Sequence, residues 1–207
     1  MVIFAPMKLY VTLTSPFARM ARIVMHEKSL EDRVEVIPAQ TRTMDSPYYE
    51  INPSGRVPYL ICDDGMRLEE SQFICRYFDH LDGEPQFDPP SGAEGWEARR
   101  LEALARSLLD GVSVWVREIK RPQGESSPTI IEHERRRAER LTRVWEDEIA
   151  SPMMQGPLNM AQITLICALE QDRRIPGFEW RASCPALSEW ADAIGARDAV
   201  VRTQAPT

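Results

Sequence analysis

The chain has 207 residues, 43 % of them hydrophobic and 28 % charged, a composition of ordinary globular proteins rather than disordered or collagen-like ones. Its net charge of −7 and isoelectric point near 5.1 repel polyphosphates and anionic lipids, so neither nucleic acid nor a membrane surface is an expected partner. No stretch approaches the ~20 consecutive apolar residues of a membrane helix, and the opening MVIFAPMK is too short for a secretory core with a cleavage site.

A cytoplasmic protein is therefore expected. Cys62, Cys75, Cys167 and Cys184 are widely separated, form no C-x-x-C pair and have no metal-type spacing with His26, His80 or His133. Buried reduced thiols and no metal site are the reading that follows.

Residues 8–14, KLYVTLT, place Leu9, Val11 and Leu13 on one face with the period of a strand. A helix follows with almost no loop, because Phe17, Met20, Ala21, Val24 and Met25 recur at helical spacing from Pro16. Residues 34–39, VEVIPA, make a second strand, and strand–helix–strand order implies a parallel crossover. Asn52-Pro53-Ser54-Gly55 is a turn before the apolar run 57–62, and Asp64-Gly65 marks a hairpin into residues 66–68. In SQFICRYFDHLD, Ile74, Tyr77, Phe78 and Leu81 return to helical spacing.

The proline- and glycine-rich residues 82–95 lack an apolar period and read as a linker, which divides the chain at 7–84, 85–95 and 96–207. Beyond it every pattern is helical. One stripe runs from Leu101 to Ile119, interrupted at RPQGESSP; a second runs from Ile131 to Ile149, with Glu134 the lone polar member. ERRRAER within it reads as a solvated face with ion pairs one turn apart. Asn159 and Gln162 have the spacing of a capping box, with Leu158 and Ile163 at the staple positions. Pro185 opens a last helix carrying Leu187, Trp190, Ala191 and Ile194.

Three short segments in the first half have chemical interest. Ser15-Pro16 is a good helix start, a capping hydroxyl with proline at the first helical position, and the same hydroxyl is a candidate donor. In GRVP, Val57-Pro58 stands before a central strand, where a proline suits a strand start or a cis bend that leaves the Val57 backbone to pair with an extended peptide. In LEES, Glu69, Glu70 and Ser71 end a strand and open a helix; they read either as ordinary capping or as a site for a carboxylate and an ammonium, the two charges of an amino-acid end.

Together TSPFARMARI, INPSGRVPYL, LEESQFICRYFDHLD and LNMAQITLICALEQ resemble the glutathione S-transferase family across nearly the whole chain after residue 6. DGVSVWVREIKRP is similar to a bacterial serine-type, YibF-like subgroup. The resemblance implies an α/β thioredoxin-like N-terminal domain followed by an all-α helical-bundle C-terminal domain. It gives Ser15 the role of hydrogen-bond donor to the glutathione sulfur, with Tyr10 and Thr14 as neighbouring alternatives. Val57, beside a cis Pro58, would pair with the cysteinyl unit, Glu70 and Ser71 would hold the γ-glutamyl end, and Arg42 and Arg56 are candidates for the glycine carboxylate.

A free thiol with a pKa of about 8.5 is mostly protonated at neutral pH, and its anion is the nucleophile. A hydroxyl donor and a helix N-terminus at the same sulfur favour that anion. Phe17, Leu108, Val112 and Trp115 are the candidates for the pocket of a small hydrophobic electrophile. The expected protein is a homodimeric glutathione transferase with glutathione as co-substrate and no metal; a non-catalytic binding protein and a glutathione-dependent peroxidase or lyase are the rivals. Residue 15 is Ser rather than Cys and no resolving thiol follows, which argues against mixed-disulfide chemistry.

Overall fold

Alternating apolar residues in the first half build a four-stranded mixed sheet. β1 (Met7–Val11) runs parallel to β2 (Val34–Pro38) and antiparallel to β3 (Tyr59–Ile61), which pairs antiparallel with β4 (Arg67–Glu69), in the order β2-β1-β3-β4. The computed structural model describes residues 6–206; most of the opening segment considered for a leader, residues 1–5, lies outside them.

β1 ends earlier than its alternation predicts. Its pairing with β2 stops at Val11, opposite Pro38, where the Ala39 N–H still donates to the Val11 carbonyl at 2.7 Å. The chain then turns: the Ser15 N–H donates to the Thr12 carbonyl at 3.0 Å, and Leu13, expected to face the core, is 41 % exposed.

α1 (Pro16–Glu27) then buries Met20, Ala21, Ile23 and Val24 and packs against α3 (Ser71–His80), which buries Ile74, Cys75 and Phe78. Each large apolar side chain so covered contributes about 1.5–3 kcal/mol. A short helix, α2 (Tyr48–Ile51), directly precedes the turn that begins at Asn52.

The second unit, residues 87–197, is helical: α4 (Trp96–Ile119), α5 (Pro128–Glu148), α6 (Pro152–Gln155), α7 (Met160–Leu169) and α8 (Pro185–Gly195). α4 packs chiefly on α7 and α5. Glu134, the polar break in the α5 stripe, is only 7 % exposed because Gly111 of α4 leaves it room; a Cβ there would stand 2.7 Å from the carboxylate. Its charge is met by Arg137 at 3.4 Å.

Every residue of α7 is buried, so its start cannot be left to solvent. The expected capping box is present. Asn159 Oδ1 accepts from the Gln162 N–H at 3.2 Å, Gln162 Oε1 accepts from the Asn159 N–H at 3.0 Å, and Asn159 Nδ2 also donates to the Met153 carbonyl at 2.7 Å.

The helical part was expected to run to the C-terminus, and here the chain differs. α9 (Asp198–Arg202) packs on α1, so the first unit comprises the residues up to 86 together with those from 198 onward. Arg19 is 4 % exposed, and a buried guanidinium needs acceptors. It finds them at the end of α9, donating to the Val200 carbonyl at 3.0 Å and Thr203 Oγ1 at 3.4 Å, while Arg22 donates to the Thr203 carbonyl at 3.2 Å. The division between residues 86 and 87 falls inside the expected linker.

All four cysteines are buried free thiols. Among the described residues no helix is long and apolar enough to cross a membrane, and no cluster of His, Cys, Asp and Glu is arranged to hold a metal ion.

The capping box yields the first prediction. Asn159→Ala should lower the unfolding free energy by about 1–2 kcal/mol, because it leaves the Gln162 N–H without its capping acceptor. Chemical denaturation of the purified chain measures this, and an unchanged midpoint would deny the box a stabilising role.

Candidate functional site

The sheet register decides which segments meet. Tyr10, Tyr59 and Glu69 lie opposite one another across β1, β3 and β4. At that row the chain leaves the sheet twice and enters it once: from β1 into the turn to Ser15, from β4 into Glu70-Ser71, and into β3 from Val57-Pro58. β2 reaches the same edge, since Ile37 lies opposite Tyr10, and it leads into the loop that carries Arg42.

Ser15 is the N-cap of α1, with extended backbone angles and Pro16 directly after it. Its Oγ accepts from the Ala18 N–H at 3.2 Å. A serine hydroxyl has two acceptor lone pairs and one O–H donor, so capping leaves the O–H to donate elsewhere. The two roles read from the sequence are therefore compatible. No acidic side chain lies in the first turn to oppose an anion at this positive helix end.

Tyr10 is a different case: its ring sits 5.7 Å from that of Tyr48 and 6.4 Å from that of Tyr59, inside the small aromatic core of this edge. Thr14 lies exposed in the turn before Ser15.

Val57 is half-buried, and the Val57-Pro58 peptide is cis. The ladder of β3 begins at Tyr59, two residues later. Arg42 and Arg56 are both exposed, Arg42 with a φ of 59°.

Glu70 has a φ of 71° and a ψ of 119°, a conformation that side chains other than glycine rarely adopt. Its carboxylate accepts from the Ser71 N–H at 2.9 Å and from Ser71 Oγ at 3.4 Å, capping α3. Ser71 itself is 1 % exposed. Strain of this kind costs on the order of 1–3 kcal/mol and collects at functional sites. It fixes a carboxylate at the mouth of a helix N-terminus, so that one small area offers a negative group beside positive backbone dipoles.

Residues 14–81 match the glutathione S-transferase N-terminal domain. The chain has the glutathione S-transferase fold and carries that family's N-terminal domain. The GST-like protein YibF of Escherichia coli strain K12, itself uncharacterized, is 29 % identical over 204 residues, 97 % of this chain and 99 % of that one. A glutathione transferase family member from Pseudomonas fluorescens Pf-5, crystallised with S-(propanoic acid)-glutathione, superposes with a TM-score of 0.84 at 28 % identity, covering 97 % of this chain and all of its own. A glutathione S-transferase from Methylobacillus flagellatus KT with glutathione bound gives the same TM-score, identity and coverage.

Ser15, Val57, Glu70 and Ser71 all fall within the matched residues. The expected electrophile pocket does not follow the same way. Leu108 and Val112, both in the helical unit, are fully buried. Trp115 packs on Phe178 at 5.9 Å and borders a cavity of about 350 Å³ within that unit, whose other lining includes Arg135, Glu139, Arg143 and Glu179. That lining mixes charged groups with the aromatic rings of Trp115, Phe178 and Trp180. Phe17, half-buried two residues beyond Ser15, is the one expected pocket residue within the first unit.

Sequence reasoning passed over Tyr48 and read Asn52 and Ser54 only as turn residues, yet all three tie the Val57 segment to the rest of the edge. The available signal was the four-residue spacing of Tyr48 and Asn52 just before the turn.

The Glu70 conformation makes a reversal of the usual order testable. Glycine is ordinarily about 0.5–1 kcal/mol less stabilising than alanine within regular structure. At position 70 both replacements remove the carboxylate cap, but only glycine relieves the positive φ. Glu70→Gly should therefore be the more stable variant by about 1 kcal/mol in denaturant unfolding; alanine above glycine would show that the position is unstrained.

Proposed function

We propose that the protein is a glutathione transferase that binds glutathione along this sheet edge and uses its thiolate against a small hydrophobic electrophile. The register row that draws Ser15, Val57 and Glu70-Ser71 to one edge is the observation that carries the reading. Glutathione in the crystals of similar proteins lends it further support.

In this reading the Glu70 carboxylate pairs with the γ-glutamyl ammonium, and the α3 N-terminus, with Ser71, receives the adjacent carboxylate. The Val57 backbone pairs with the cysteinyl unit as a strand edge would. Arg42 and Arg56 are the candidates for the glycine carboxylate. The cysteinyl sulfur then lies at Ser15, where the Oγ–H and the N-terminus of α1 stabilise the anion, and the thiol proton leaves to solvent.

The sulfur lone pair forms the new carbon–sulfur bond. In a substitution the leaving group departs with its bonding electrons; in an addition the electrons pass to the far end of the polarised double bond, which takes a proton from water. Neither course requires a metal. A cytoplasmic location belongs to the same proposal, since four buried free thiols suit a reducing compartment, and so does a homodimer, which sedimentation at micromolar concentration tests.

The test of mechanism separates capping from donation. Ser15→Ala loses both the N-cap and the O–H, whereas Ser15→Gly loses the O–H but weakens the cap by only a few tenths of a kcal/mol. Both should raise the pKa of bound glutathione by about one unit or more and lower kcat about tenfold at neutral pH, with a smaller change in the Kd for glutathione. Ser15→Gly with wild-type turnover and thiol pKa would remove Ser15 from the chemistry.

A further inference from the structure

The carbonyl of Arg56, one residue before Val57, is held by two donors from one turn of helix. Tyr48 Oη donates to it at 2.5 Å and Asn52 Nδ2 at 3.0 Å, and Nδ2 also donates to Tyr48 Oη at 3.3 Å. Tyr48 and Asn52 are 4 % and 1 % exposed, so both donor residues of this triangle are buried, while the carbonyl they hold belongs to an exposed residue. Four residues apart, the two side chains fall on one face of a helical turn. Burial pushes the Tyr48 phenol up to about 12, so it remains a donor throughout the neutral range.

The network extends from there. Asn52 Oδ1 accepts from the Ser54 N–H at 3.0 Å, Ser54 Oγ accepts from the Arg56 N–H at 3.2 Å, and the same hydroxyl donates to Glu69 Oε1 at 2.6 Å. A continuous chain of hydrogen bonds thus runs from the peptide before Val57 to the residue before Glu70. Gly55, with a φ of 65°, lets the loop close on the Tyr49 ring, which a Cβ would meet at 2.7 Å.

The Arg56–Val57 peptide is planar, so its carbonyl and the Val57 N–H lie in one plane and, in the trans form, point in opposite directions. The cis peptide of this segment is the next one, Val57-Pro58. Anchoring the Arg56 carbonyl against buried donors therefore sets the direction of the Val57 N–H. Rotation of that peptide would leave the Tyr48 and Asn52 donors buried and unpaired.

We propose that Tyr48 and Asn52 are positioning residues for glutathione: they fix the Arg56–Val57 peptide so that the Val57 backbone meets an extended peptide ligand, while Ser54 and Glu69 lock that segment to the Glu70 side of the site. The proposal rests on the reading that glutathione pairs with Val57. It assigns the network to affinity for the peptide backbone of the ligand and not to ionisation of its sulfur.

The experiment is calorimetric titration of the full chain, wild type and variants, with glutathione and with S-methylglutathione, which has the same backbone and no ionisable thiol. Thermal melts and the pKa of the bound thiol are recorded alongside. In Tyr48→Phe and Asn52→Ser the Kd for both ligands should rise together by about five- to twentyfold, with the bound thiol pKa and saturating kcat near the wild-type values. Ser54→Ala, at an exposed position, should fold in any case and raise both Kd values by about two- to threefold.

Folded variants that bind both ligands with wild-type Kd, or that change the thiol pKa and kcat instead of Kd, overturn the proposal and leave the network a merely structural one. Should both buried variants fail to fold, Ser54→Ala decides alone, and an unchanged Kd overturns the proposal. A wild-type chain that binds neither ligand overturns the proposed function, and this proposal with it.

Discussion

The site depends on the pairing of Tyr10 with Tyr59 and of Tyr59 with Glu69. In a strand, a one-residue slip turns every side chain to the opposite face and shifts every exit point along the sheet. Here the register is held by burial, since Leu9, Leu60 and Leu68 share one face and are all interior. The same core that stabilises the sheet thereby delivers Ser15, Val57 and Glu70 to one edge. None of these residues is near the others in sequence.

Around that edge, groups with structural duties remain able to serve a ligand. The Ser15 hydroxyl caps α1 through a lone pair and retains its proton for donation. The Glu70 carboxylate caps α3 from a backbone conformation that costs stability. Tyr48 fills the aromatic core with its ring and anchors a loop carbonyl with its hydroxyl. Such overlap gives rigidity without extra residues, and rigidity in advance of binding reduces the ordering cost of holding a flexible tripeptide.

Much of this was legible in the sequence because it is local. Pro16 after Ser15, the Asn159 and Gln162 spacing and the helical stripes each arise from interactions within one or two turns, and each appears where expected. The failures have one cause, which is tertiary context. Leu13 continues an alternation but lies in the turn after β1, beyond the last paired residue, Val11. The pocket assignment of Leu108, Val112 and Trp115 is a different matter, since a buried stripe has the same spacing whether it walls a core or a pocket. The return of α9 to the first unit rests on Arg19 reaching a carbonyl and a hydroxyl more than 180 residues away, and the Tyr48–Asn52 network closes on a backbone atom that no side-chain pattern reveals.

The central claim is that this edge holds glutathione and ionises its sulfur. An ultraviolet difference titration of the wild-type chain with glutathione at neutral pH, followed at the thiolate absorption band, tests it most directly. A band that grows saturably with ligand, and is absent with S-methylglutathione, is the result the structure predicts. Saturable binding without the band would contradict activation at Ser15, and no binding at all would contradict the assignment of the edge to glutathione.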